Sequence, residues 1–181
     1  MDFHYTAPIG PYHDASGSAF NTFTTKKSVD PLPVPVIPAR TLFRGSQISL
    51  RANGEYSTTG TPTLTWGFWF GTATLTITGD IALSSVITTP SGSAAFPWIL
   101  YWEGICNLTG TAGTLLGQGY LMQGTSLTAM SLFPIPITQA LRTVSSFDTT
   151  IDRAIGVSAT WGTSSASNSI TVNNLRVGIR N

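Results

Sequence analysis

The sequence predicts an all-β protein: a two-sheet antiparallel sandwich or jelly roll of about eight strands, preceded by an extended N-terminal arm. Three observations carry that prediction. From Thr41 onward apolar residues recur at every second position, the period of a half-buried strand. Clusters of Gly, Ser, Thr and Pro separate these stretches, as short turns require. No window of helical length repeats apolar residues at i, i+3, i+4 and i+7, and good helix formers are scarce, Lys26 and Lys27 being the only lysines.

The elements follow in order. Residues 1–40 form the arm, where aromatic residues occur without periodicity. The arm ends in Pro31-Leu-Pro-Val-Pro-Val-Ile-Pro38, whose alternate prolines remove backbone donors and favour polyproline geometry. A helix or central strand is excluded there. The arm carries more apolar side chains than a solvated linker needs, so Phe3, Tyr5, Tyr12, Phe20 and Phe23 are candidates for contact with a neighbouring surface. A flexible leader is the alternative.

Residues 41–181 form the domain. Ile48, Leu50, Ala52 and Tyr56 share one face of a strand, and Gln47, Ser49, Arg51, Asn53 and Glu55 share the other. After a turn at residues 57–62, Leu64, Trp66, Phe68 and Phe70 alternate with Thr63, Thr65, Gly67 and Trp69. The alternation resumes beyond Gly71, and two strands or one strand bent there fit equally. Further strands are expected near residues 81–88, 98–108, 114–123, 126–133, 151–161 and 169–179. Gly110-Thr-Ala-Gly113 and Gly117-Gln-Gly119 read as turns.

At 181 residues the chain is long enough for one well-buried domain and a tail. Only 9% of residues are charged, against about 25% in an ordinary soluble domain. A lone monomer keeps both signs of charge over its surface for solubility, so this deficit predicts a surface covered largely by other subunits. Abundant aromatic and β-branched residues argue against disorder. A net charge of +1 with scattered basic residues gives no field for nucleic acid. No apolar run approaches the roughly 20 residues that cross a bilayer, so no membrane span is expected. The start Met1-Asp-Phe-His4 lacks a secretory pattern, which implies synthesis in a cytoplasm. The single Cys106 reads as a buried, inert thiol.

Chemistry is hard to place on this chain. The only histidines, His4 and His13, lie in the arm, where neither a catalytic triad nor a metal site finds rigid support. Glu55, Asp80, Glu103, Asp148 and Asp152 are the only acids beyond the arm, and their spacing pairs none of them. Asp148 reads as a turn cap and Asp152 as a strand-edge charge. No enzyme, metal or cofactor is predicted. Among the tryptophans, Trp66 and Trp161 fall on core faces. Trp69 falls on a polar face, while Trp98-Ile-Leu-Tyr-Trp-Glu103 is apolar on both faces. Trp69, Trp98, Tyr101 and Trp102 are therefore the candidates for subunit contact or, alternatively, for stacking on a surface glycan.

Three stretches carry a resemblance: residues 50–71, Pro97-Trp98 with Gly117-Gln-Gly119, and residues 157–172. In these strand and turn patterns the chain from about Leu42 to Asn181 resembles small virion proteins of tailed phages, which look like jelly-roll or sandwich modules that decorate heads or belong to tails. The resemblance implies a virion component without catalytic residues, most naturally a capsid decoration protein. Its partners would be copies of itself, as in a closed ring such as a trimer, and the major capsid protein or other virion proteins. A tail-associated module binding carbohydrate or a receptor is the alternative.

Overall fold

The computed structural model describes residues 4–5, 22–29, 34–72, 76–126, 128–138 and 142–181. The chain is an antiparallel β-sandwich, and no helix occurs among the described residues. Eight strands of six or more residues build it: β4 (Gln47–Ser57), β5 (Thr63–Gly71), β6 (Ile77–Leu83), β8 (Phe96–Leu108), β9 (Thr114–Gly124), β10 (Met130–Ile135), β12 (Arg153–Trp161) and β13 (Ser169–Arg180). Short two-residue strands complete the sheets: β1 (His4–Tyr5), β2 (Lys27–Ser28), β3 (Val36–Ile37), β7 (Ile87–Thr88) and β11 (Thr143–Val144).

Sheet A runs in the order β1-β13-β4-β8-β9-β10, with β11 also on β9. Sheet B runs β2-β12-β5-β6, with β3 on β12 and β7 on β5. The alternation legible in the sequence sets which side chains face inward. On β4, Ile48, Leu50, Ala52 and Tyr56 are buried while Gln47, Arg51 and Glu55 stay exposed. Trp98, Leu100 and Trp102 point into the same core from β8, and Leu64, Trp66, Phe68 and Phe70 meet them from β5. Trp66 and Trp98 join the two sheets with ring centroids 4.6 Å apart. Each such ring removes roughly 200 Å² from water, worth about 5 kcal/mol of apolar burial before conformational costs.

The β5 to β6 connection resolves the alternative left open at Gly71. The chain reverses, and β6 pairs antiparallel with β5. A Cβ at Gly71 would lie 1.9 Å from the Thr76 carbonyl oxygen, so only glycine lets the returning backbone pass. By contrast, Gly117 and Gly119 lie inside β9 and not in a turn, while Gly110 to Gly113 does turn, with the Gly113 amide donating to the Gly110 carbonyl at 3.1 Å.

Where it is described, the Pro-rich segment lies along the edge of the chain's own sheet B. β2 and β3 pair side by side along the outer edge of β12, and the Val29 amide donates to the Val157 carbonyl at 3.0 Å. The Ile155 amide donates to Pro35 at 2.9 Å. Pro35 uses only its carbonyl, and its missing N–H therefore costs this edge nothing. Residues 22–29 and 34–40 are thus the closing edge of sheet B, and Phe23 is a core residue. Of the other arm aromatics, Phe3, Tyr12 and Phe20 and the Tyr5 side chain lie outside the described residues. Tyr5 contributes its backbone to β1, paired with Ile179.

Candidate functional site

Three of the four candidate aromatics of the domain are enclosed by their own chain. Trp98 and Trp102 are fully buried in the main core, the first donating its Nε1 proton to the Glu55 carbonyl at 3.2 Å. Trp69 does point to the outer side of sheet B, as its place in the alternation required. There it is sealed under Val34, with Ala154 and Ile77 around it, and donates to the Val157 carbonyl at 3.1 Å. None of these three presents a ring to a partner or a sugar. The sequence showed that Trp69 needed a cover, but could not show that the chain's own proline segment supplies it.

Tyr101 is the candidate left at the surface. It sits on the outer face of sheet A, and strand register places it in a single row running Arg176, Arg51, Tyr101, Tyr120, Pro134 from β13 to β10. The two tyrosine rings stack at 5.3 Å with planes tilted by 32°. In the next row stand Gly178, Ser49, Glu103 and Gln118. Tyr101 donates its hydroxyl proton to Glu103 Oε2 at 2.8 Å. That bond to a carboxylate, with some burial, holds the Tyr101 phenol above the ordinary tyrosine range, because ionisation would set two negative charges together. Tyr101, Glu103, Gln118, Gly119 and Tyr120 line a shallow depression of about 340 Å³.

Arg51 and Arg176 are exposed and directly opposite each other on paired strands. Neither has a carboxylate within salt-bridge distance among the described residues. Like charges directly opposite in a sheet oppose its stability. Arg51 was legible as a polar-face residue; its alignment with Arg176, Tyr101 and Tyr120 was not, since register across three strand pairs is set by tertiary packing.

The acids beyond this face serve structure. Asp148 Oδ1 accepts from the Thr150 amide at 2.8 Å and from its hydroxyl at 2.6 Å, the turn cap expected of it. These bonds, with Arg153 nearby, hold the Asp148 carboxyl below the usual carboxylate range. Buried Arg153 donates to the Asp148 carbonyl at 2.9 Å and lies over the rings of Phe70 and Phe147 at 5.6 and 6.0 Å. Asp152 accepts from the Ala39 amide at 2.8 Å, and Asp80 pairs with Lys26. Cys106 is fully buried, and burial pushes its thiol up from the ordinary range. No group of three potential metal ligands occurs among the described residues. No helix among them is long and apolar enough to cross a membrane.

On one flank of the sandwich the edge strands of the two sheets meet. Within the described sheets, β10 ends sheet A and β6 and β7 end sheet B, and the Ile137 amide binds the Leu83 carbonyl across the gap at 3.0 Å. Three large apolar side chains stand out from this flank: Leu132 at 67% exposure, Val86 at 68% and Ile137 at 44%. Comparison with protein-family models, with curated proteins and with solved structures finds no match to this chain, so the fold and this surface geometry are what characterise it.

Proposed function

We propose that the protein is a non-enzymatic structural subunit that works by packing against other protein chains through the flank where the edge strands of its two sheets meet. The observation that carries this reading is the exposure of Leu132 on the edge strand β10, of Val86 between β6 and β7, and of Ile137 just beyond β10. Large apolar side chains exposed at edge strands are what a subunit contact uses, and what a lone monomer avoids. The low charge of the whole chain supports the same reading, and the buried tryptophans concentrate the argument on this flank.

The resemblance to small tailed-phage virion proteins supplies the setting: a capsid decoration protein, contacting copies of itself and the major capsid protein. Sedimentation of the purified chain across a concentration series tests the contact. Stable oligomers are expected, and Leu132→Glu combined with Val86→Glu should convert them to folded monomers. A wild-type chain that stays monomeric and attaches to no particle overturns the reading. Imaging of the chain in its native particle tests the setting.

A further inference from the structure

We propose that the outer face of sheet A binds an acidic glycan along the row Arg176, Arg51, Tyr101 and Tyr120. This goes beyond the packing reading, since Arg176, Arg51 and Tyr101 stand on β13, β4 and β8, away from the β10 edge.

The argument begins with the two arginines. Their side chains are fixed in register on adjacent strands with no carboxylate partner among the described residues, a repulsive arrangement that an anion relieves. A guanidinium is a planar fork of donors that matches a carboxylate in two parallel hydrogen bonds. The tyrosines extend the row. Tyr120 is 37% exposed and stacked on Tyr101, so the pair offers a broad, rigid, amphipathic surface at little entropic cost. Apolar C–H faces of sugar rings pack on such a surface. Strands lie about 4.8 Å apart, so four strands set the row at about 14 Å, long enough for a short oligosaccharide.

The neighbouring positions supply hydrogen bonding. Glu103 and Gln118 stand side by side at the depression, and Asn53 on β4 and Asn174 on β13 are paired on the other side of the arginines. A carboxylate accepts from sugar hydroxyls, and an amide both accepts from and donates to them. The net charge of +1 and the scattered basic residues provide none of the wider attraction that a nucleic acid uses, which favours a ligand held locally by the two arginines. Charge complementarity at one end and aromatic stacking at the other select a chain of sugars bearing carboxylates.

Titration of the full-length protein with oligogalacturonate and with oligosialic acid, followed by calorimetry, tests this. At least one should bind, and its methyl-esterified form should bind at least tenfold more weakly. Arg51→Gln, Arg176→Gln and Tyr120→Ala change exposed groups, and each should weaken binding at least tenfold while the fold is retained, the arginine variants without any fall in unfolding temperature because they relieve the repulsion. Absence of binding to both oligomers overturns the proposal, as does undiminished binding by all three variants. Tighter binding of a single-stranded oligonucleotide than of either oligomer overturns it in favour of a nucleic-acid surface.

Discussion

The ring of Trp102 occupies the space in which a side chain at residue 117 would stand: a Cβ on Gly117 would lie 2.3 Å from Trp102 Cζ2 and 2.5 Å from the Glu103 carbonyl oxygen. Gly104, the cross-strand neighbour of Gly117, is crowded by the same ring at 2.4 Å. Glycine in mid-strand ordinarily weakens a sheet; here it admits the largest side chain of the core. Gly117→Ala should therefore destabilise the protein by about 1–3 kcal/mol, the range for overpacking. Urea unfolding measures it, and Gly117→Ala placed in a Trp102→Phe background should cost clearly less than in the wild type.

A buried polar chain links the sheets. Trp66 Nε1 donates to Gln123 Oε1 at 2.8 Å, Gln123 Nε2 donates to the Tyr56 hydroxyl at 3.4 Å, and that hydroxyl donates to the Gly124 carbonyl at 2.5 Å. Gln123→Leu keeps the volume but strands the indole N–H of Trp66 in a dry core. A loss of about 1–3 kcal/mol is expected in equilibrium unfolding, the cost of an unpaired buried donor.

Asp148 makes stability depend on acid. Its carboxyl is held low in the folded chain by Thr150 first and by Arg153 in addition, while the unfolded value is near 3.9. The ionised form is thus favoured by folding. Its contribution is complete above the unfolded value and fades as pH falls through the lower, folded one. Asp148→Asn should be less stable than the wild type at neutral pH, and the gap should close in acid below about pH 4. Thermal unfolding from neutral to acid pH reads this directly, and a gap independent of pH would contradict it.

Deletion of residues 1–38 should not leave an intact sandwich. It removes β2 and β3, bares the β12 edge and strips Val34 from Trp69. The truncated chain is expected to unfold at lower denaturant and to aggregate through the new edge. Light scattering alongside urea unfolding checks both outcomes, and unchanged stability would show that this edge contributes nothing.

Legibility in the sequence followed the reach of each physical cause. Alternation is local, so the inward faces of β4 and β12 and the main strands could be read from neighbouring residues, whereas β8, apolar on both faces, did not reveal that Trp98 and Trp102 face the core. Gly117 and Gly119 were misread as a turn because the reason for at least the first lies across the sheet, at Trp102. Trp69 was rightly placed off the main core, yet its cover comes from Val34, a residue 35 positions earlier whose proline-rich context argued for an independent arm. Tyr101 was named from its apolar stretch; Tyr120, Arg51 and Arg176 joined it only through register.

All five tryptophans of the chain are fully enclosed, but Trp69 stands apart from the other four, in a cluster that Val34 of the segment preceding residue 41 completes. Its indole is consequently an optical gauge of whether that segment is seated. Lifting Val34 away would hydrate one chromophore in five and redden the emission, while the four in the main core kept theirs, so detachment could be told apart spectroscopically from collapse of the whole molecule.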